Sequence, residues 1–156
     1  MRRYPKHFNV FRPSCESTNL SSCSLEEVHN ACDNTILYTD FVLAELIDEL
    51  KRLEDNYDSL VLYVSDHGES LGENGVYLHG APYMIAPVDQ THVPMLLWMT
   101  PGYQRRFAID TDCVRQRPGI PSSHDNVYHM VLGAVAVSNE RYDARQDLLS
   151  GCRGVR

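Results

Sequence analysis

The sequence contains no long apolar run. Its most apolar stretches, residues 93–99 and 127–137, are far shorter than the roughly 20 residues that a helix needs to cross a bilayer. The basic residues 1–7 are not followed by the apolar segment of a secretory signal. The chain is therefore not expected to span a membrane, and it is either cytosolic or exported by a segment that precedes these residues.

The sequence also lacks an excess of positive charge. It carries 21 acidic and 14 basic side chains, which gives a formal net charge of -7 over 156 residues. Without a general positive field the chain is not expected to bind nucleic acid or an anionic surface. An anionic substrate would have to be held locally, by a metal ion or by a few cationic side chains. The length suits a single domain.

The five cysteines include no Cys-x-x-Cys pair. Cys15 and Cys23 lie eight positions apart in a polar stretch, a spacing that favours a small disulfide loop over the alternative, a zinc site. Cys113 and Cys152 form a second candidate pair, and Cys32 then remains as the odd thiol. Because disulfides persist in oxidising environments, an extracytoplasmic location becomes the preferred interpretation.

A long helix is predicted after an irregular entry that ends near residue 22. Ser24 and Glu27 form a capping-box pattern, and apolar residues then recur at three- and four-residue steps as far as Leu53. Asn34 is expected on the polar edge of this helix.

The remaining pattern alternates strands and helices. Residues 60–64 and 93–99 are short apolar runs, typical of strands buried on both faces as in a parallel sheet. Residues 68–91 show no period and are predicted to form a long functional loop, and residues 122–133 a capped helix. This order predicts an α/β fold.

The strongest chemical signal follows the first strand. Asp66, His67 and Gly68 stand where α/β sheets bind ligands, and an aspartate with a histidine supplies half of a zinc site. The same residues also fit a turn-capping aspartate beside an ordinary surface histidine. Periodicity alone does not separate these interpretations.

The surrounding sequence resembles a known enzyme family. Residues 65–80, SDHGESLGENGVYLHG, closely resemble the hallmark stretch of the lipid A phosphoethanolamine transferases, membrane-anchored enzymes of the alkaline phosphatase and sulfatase superfamily. Further family-like segments extend the resemblance over nearly the whole chain, at residues 3–5, 33–40, 86–87, 93–98, 123–126 and 152–153.

This resemblance implies an alkaline phosphatase-like α/β/α sandwich with a largely parallel central sheet. Residues 1–156 would be the C-terminal portion of a periplasmic catalytic domain, without the N-terminal membrane domain and the first part of the catalytic domain. The intact protein would be anchored in the inner membrane.

The resemblance also implies roles for individual residues. Asp66 and His67 would be ligands of a catalytic Zn²⁺, and His79 would face the phosphoryl group or a second zinc. Glu69 and Glu73 would orient the metal-binding side chains, although solvated loop acids are nearly as good an interpretation. Cys113 and Cys152 match cysteines of some family members.

The implied reaction moves phosphoethanolamine from phosphatidylethanolamine to a lipid A phosphate through a zinc-activated threonine, and it lowers polymyxin binding. The family's threonine, a glutamate ligand and a further histidine lie upstream of this sequence. The chain alone is therefore expected to bind zinc weakly and to transfer nothing. Alternatives are an inactive truncated fragment, or another sulfatase-like or phosphodiesterase-like hydrolase, although the sulfatase pattern Cys-x-Pro-x-Arg is missing.

Overall fold

A computed structural model describes residues 3–154 of the chain. Among these residues, none of the helices combines the length and the apolar character that crossing a membrane requires. In chain order the helices and strands are α1 (Leu25–Arg52), β1 (Leu60–Val64), β2 (Ser70–Leu71), β3 (Tyr77–Leu78), α2 (Val88–Thr91), β4 (Met95–Met99), α3 (Pro101–Arg106), α4 (Thr111–Arg115) and α5 (Asp125–Ala134). The mixture of helices and strands agrees with the predicted α/β class.

The long helix α1 begins as its sequence predicts. The backbone N–H of Ser24 donates to the Glu27 carboxylate at 2.8 Å, and the Glu27 N–H donates back to the Ser24 hydroxyl at 3.3 Å. This reciprocal pair satisfies two amides that have no partner within the helix. The capping box therefore fixes the start of α1, which runs for 28 residues.

The prediction for Asn34 was wrong. Its side chain is fully buried, not at the polar edge of α1. Its Oδ1 accepts hydrogen bonds from the backbone N–H groups of Val10 and Phe11, both at 2.9 Å, and its amide donates to the Phe11 carbonyl and the Tyr4 hydroxyl. Because a buried amide must be hydrogen bonded, Asn34 holds the irregular N-terminal segment against the helix.

Strands β1 and β4 pair with each other. The Ser65 N–H donates to the Pro94 carbonyl at 3.2 Å, and the Thr100 N–H donates to the Ser59 carbonyl at 2.9 Å. These bonds join the end of each strand to the start of the other, so the pair is antiparallel. The apolar run of β1 is half-buried at all five positions. A parallel pair buried on both faces, as the runs indicated, is therefore not what these two strands form.

The predicted loop at residues 68–91 contains more structure than expected. Strands β2 and β3 form a short antiparallel ladder, with Ser70 opposite Leu78 and Leu71 opposite Tyr77. The helical turn α2 follows within the same segment. Two-residue strands carry too little sequence for a period-2 pattern to reveal them.

The chain divides into two compact units. One contains the described residues up to Glu49 together with Tyr63–Leu96, and the other contains Leu50–Leu62 together with the described residues from Leu97 onward. In the second unit, α3 and α4 are short helices that no sequence pattern predicted. Thr100 and Asp110 cap them through their side chains.

Two disulfides link the predicted cysteines. Cys15 pairs with Cys23 and Cys113 pairs with Cys152, which leaves Cys32 as the free thiol. The predicted pairing of Cys15 with Cys23 is confirmed, and the candidate pair Cys113 and Cys152 is also bonded. Burial, and secondarily the nearby Asp33 and Glu69 carboxylates, raise the pKa of the Cys32 thiol, so it is a poor nucleophile.

Candidate active site

The site begins where β1 ends. The Ser65 hydroxyl donates to the His67 carbonyl at 2.8 Å, and the Asp66 carboxylate accepts from the His67 N–H at 3.1 Å. These bonds turn the chain sharply after the strand. The imidazole of His67 lies over its own turn, with Nδ1 at 2.9 Å from the Gly68 carbonyl.

Three potential ligand side chains meet beyond this turn. One ligand atom from each of His67, Glu69 and His79 lies within 4.8 Å of the other two. Nδ1 of His79 is 2.5 Å from Oε1 of Glu69, and Nδ1 of His67 is 3.7 Å from the same oxygen. The two imidazole rings are 3.8 Å apart between centroids. We call these three residues the His–Glu–His cluster.

The β2–β3 ladder explains how His79 reaches Glu69 across ten positions of sequence. Ser70 faces Leu78 in the ladder, so the residues just outside this pair, Glu69 and His79, emerge side by side. Leu78 has a φ of 66° and Gly80 a φ of 104°. Positive φ is uncommon for leucine, and backbone outliers of this kind concentrate at functional sites.

Gln90 holds the base of the loop. Its buried side chain donates to the Ser70 hydroxyl at 2.9 Å and accepts from the Ala81 N–H at 3.3 Å, while its carbonyl accepts from the Gly68 N–H at 3.0 Å. A Cβ at Gly68 would overlap the Asp89 carbonyl, so only glycine permits this approach. The segments that carry Glu69 and His79 are therefore tied to one side chain. Sequence reasoning missed Gln90, because a glutamine in an aperiodic stretch carries no recognisable signal.

Asp66 and Glu73 lie differently from the three clustered residues. The Asp66 side chain is 89% exposed, and its Oδ2 lies 3.8 Å from Nε2 of His67. Glu73 accepts a hydrogen bond from the Leu71 N–H at 2.7 Å. Backbone N–H groups, its own foremost, lower the pKa of the Glu73 carboxyl. Glu73 thus stabilises its own turn, and the exposed side chain of Asp66 lies at the edge of the cluster.

The structure brings two imidazoles and one carboxylate together at the end of a strand in an α/β fold. Exposed fractions of 39% for His67, 29% for Glu69 and 47% for His79 leave the cluster open to solvent. Imidazole nitrogen and carboxylate oxygen are ligands that zinc accepts, and a centre with three protein ligands leaves a position for substrate. The three side chains are therefore a candidate open metal centre at a strand end.

Comparison with known proteins identifies the family of the chain. The sulfatase family profile matches residues 1–137, and the chain belongs to the sulfatase family. A curated relative, the phosphoethanolamine transferase EptA of Salmonella typhimurium, is 45% identical over 152 residues, covering 97% of this chain and 28% of the relative.

The solved structures with a similar fold are also phosphoethanolamine transferases. The soluble domain of lipooligosaccharide phosphoethanolamine transferase A from Neisseria meningitidis matches 98% of this chain and 46% of its own, with a TM-score of 0.94 and 40% identity. The integral membrane protein lipooligosaccharide phosphoethanolamine transferase A from the same organism matches 98% of this chain and 29% of its own, with a TM-score of 0.93 and 41% identity. The predicted alkaline phosphatase-like class is confirmed. The chain spans under a third of the curated relative's length.

Proposed function

We propose that these residues form part of the active site of a zinc-dependent phosphoethanolamine transferase, which moves phosphoethanolamine from phosphatidylethanolamine to a lipid A phosphate. The His–Glu–His cluster carries the proposal, because it places a metal-binding set at the strand end in a chain that resembles named transferases along almost its entire length. The reaction would take place in the periplasm, with the intact protein anchored in the inner membrane, and would lower polymyxin binding by removing negative charge from lipid A.

The donor set fits zinc. Two nitrogens and one oxygen, all within 4.8 Å of one another, match the ligand types and the count of an open zinc centre. When bound, zinc supplies Lewis-acid stabilisation of the phosphoryl oxygens and lowers the pKa of the attacking hydroxyl. The resemblance assigns Asp66 and His67 as its ligands, whereas the geometry favours His67 with Glu69 and His79. Asp66 adjoins this set, with its Oδ2 at 3.8 Å from Nε2 of His67.

Glu69 and His79 act as a pair in this proposal. In the family assignment, where His79 does not bind the metal, the Glu69 carboxylate accepts from the Nδ1–H of His79, which fixes the ring and leaves Nε2 for a phosphoryl oxygen or for the leaving group. The family resemblance implies that the nucleophile is a threonine that is not among these 156 residues. The chain alone is therefore expected to bind zinc weakly and to transfer nothing.

The test is zinc affinity measured by competition with a chromophoric chelator at neutral pH. His67→Ala and Glu69→Gln should each weaken one-to-one binding about tenfold or more, since each removes one of three ligands. His124→Ala, at the start of α5, is the matched control and should leave the affinity unchanged. Asp66→Asn discriminates between the two ligand sets: a loss equal to that of His67→Ala, with no loss for Glu69→Gln, would favour the family assignment.

Transfer itself is tested in a longer protein. A longer protein that includes the threonine segment should move labelled phosphoethanolamine from phosphatidylethanolamine to lipid A, and His79→Ala should reduce this transfer at least about tenfold. Release of free phosphoethanolamine without transfer to lipid A would instead indicate a hydrolase of the same superfamily. Absence of both reactions in the longer protein would contradict the proposal.

A further inference from the structure

The turn that joins β2 to β3 holds the chain in conformations that few residues adopt. Gly72, Asn74 and Gly75 have φ of 125°, 54° and 75°, values that glycine and asparagine tolerate best. The Gly75 N–H donates to the Gly72 carbonyl at 3.0 Å. The Val76 N–H donates to the Glu73 carbonyl, also at 3.0 Å. These residues therefore reverse the chain within a single compact turn.

The start of this turn has no room for a side chain. A Cβ at Gly72 would lie 2.6 Å from Cδ2 of Leu25, the first residue of α1, and 3.2 Å from the Tyr77 ring. Gly72 is thus enclosed by the helix and by β3. The side chain that closes the turn comes from the next residue, Glu73.

The Glu73 side chain folds back onto β2. Its Oε2 accepts a hydrogen bond from the Leu71 N–H at 2.7 Å. A bond of this length between a carboxylate and an amide belongs to the stronger, charge-assisted kind. Because it joins the last residue of β2 to the turn that follows, it fixes where β2 ends.

Leu71 belongs to the ladder that presents the His–Glu–His cluster. It faces Tyr77, and farther along the same ladder Glu69 emerges beside His79. A ladder of two residue pairs provides little by itself to fix its register. A slip of one residue would place a neighbour of His79 beside Glu69 and turn the side chain to the other face. The contact between these two side chains therefore depends on the register that the turn sets.

The geometry points to Glu73 as a positioning residue for the His–Glu–His cluster. By holding the Leu71 N–H, the Glu73 carboxylate fixes the register of the β2–β3 ladder and so keeps Nδ1 of His79 beside Oε1 of Glu69. Glu73 needs no contact with a metal ion for this role, so it differs from a carboxylate that orients a ligand by touching it. The consequence for zinc binding rests on the proposed function, whereas the consequence for His79 is present without metal.

The first measurement uses the metal-free chain. Nuclear magnetic resonance follows the imidazole signals of His79, which are assigned by their loss in His79→Ala. Glu73→Leu removes the acceptor and should shift these signals, because His79 is no longer held beside Glu69. Glu73→Gln keeps an oxygen that can accept from the Leu71 N–H and should leave the signals near their wild-type positions. Glu45→Leu, at an exposed glutamate on α1, is the control and should shift nothing.

The second measurement is zinc affinity, by competition with a chromophoric chelator. Glu73→Leu should weaken binding about tenfold, while Glu73→Gln and Glu45→Leu stay close to the wild type. A role confined to stability would lower the melting temperature of Glu73→Leu and leave both the His79 signals and the zinc affinity unchanged. Glu73→Ala should match Glu73→Leu, and it replaces that variant if leucine prevents folding.

The inference is overturned if the His79 signals are unchanged in folded Glu73→Leu or Glu73→Ala protein. It also fails if Glu73→Gln shifts the signals as far as Glu73→Leu, because the bond to Leu71 would then not be what matters. Failure of both the leucine and the alanine variant to fold would count against it too, since Glu73 would then support the whole fold. If the wild type binds no zinc, the proposed function fails, and the His79 signals of the metal-free chain still decide the role of Glu73.

Discussion

Glu69 and Asp147 are each the centre of a polar cluster, and the two clusters have opposite designs. Glu69 lies between two imidazoles, is partly exposed, and shares one oxygen with both rings. Asp147 is 1% exposed and accepts hydrogen bonds from the Tyr142 hydroxyl at 2.8 Å, the Arg153 guanidinium at 2.9 Å and the Leu149 N–H at 3.0 Å. The buried Asp147 carboxylate accepts from these three donors. The partly exposed Glu69 carboxylate instead adjoins two imidazoles, which can also bind a cation.

This difference separates polar groups that stabilise the fold from polar groups that can bind a ligand. Burial of a charge is tolerated only when hydrogen bonds and an opposite charge compensate it, and Asp147 meets that condition. Burial and the bond to Asp147 raise the pKa of the Tyr142 hydroxyl, so it remains a neutral donor. The His–Glu–His cluster has the exposure and the spare nitrogen positions that ligand binding requires.

The largest effect is expected at the buried carboxylate. Asp147→Asn removes the charge that compensates Arg153, whose side chain is only 19% exposed. It should cost about 3 kcal/mol of unfolding free energy. The measurement is urea unfolding followed by circular dichroism.

Two controls sharpen this prediction. Asp112→Asn breaks an exposed ion pair with Arg115 and should cost less than about 1 kcal/mol. Adding Arg153→Met to Asp147→Asn removes the uncompensated charge, so the double variant should regain part of the loss. If Asp147→Asn is no more destabilising than Asp112→Asn, Asp147 does not compensate a buried charge on Arg153.

A smaller effect is expected at the base of the site. Gln90→Leu leaves the Ser70 hydroxyl and the Ala81 N–H without their partner, which should cost about 1–3 kcal/mol. It should also weaken zinc binding, because the segments carrying Glu69 and His79 are no longer tied together. Gln116→Leu, an exposed position after α4, is the control for both measurements. Unchanged zinc affinity in a folded Gln90→Leu protein would show that Gln90 does not position the cluster.

The open cluster should tolerate substitution with little change in stability. His79→Ala is expected to shift the melting temperature by only a few degrees, because its side chain is 47% exposed and fills no cavity. His129 offers the comparison within the second unit, since its Nδ1 accepts from the Asp143 N–H at 3.0 Å and its ring lies near Tyr142. His129→Ala should therefore lower the melting temperature more than His79→Ala, and the reverse order would contradict a purely chemical role for His79.

Sequence predicted the local features well and the long-range ones poorly. The capping box of Ser24 and Glu27 and the Cys15–Cys23 loop involve near neighbours, so spacing alone indicated them. The burial of Asn34 depends on chain that arrives from residues 4–11, and the place of Glu69 depends on a two-residue ladder. Neither has a periodic signal. The chemistry at Asp66, His67 and His79 came from a family resemblance, because spacing left it undecided.

The smallest effect is expected at an exposed acid in the second unit. Asp143 accepts from the backbone N–H and the guanidinium of Arg145, and these bonds, the guanidinium's first, lower the pKa of its carboxyl to about 2 from 3.8. A lowered pKa means that the contribution to stability is present above 3.8 and is lost as the pH falls toward 2. The difference in melting temperature between the wild type and Asp143→Asn should therefore be small at pH 6 and vanish near pH 2. A difference that grows on acidification would show that this carboxylate is unfavourable in the folded state. The exposed pair of Asp143 and Arg145 would then not stabilise the protein, unlike the buried pair of Asp147 and Arg153.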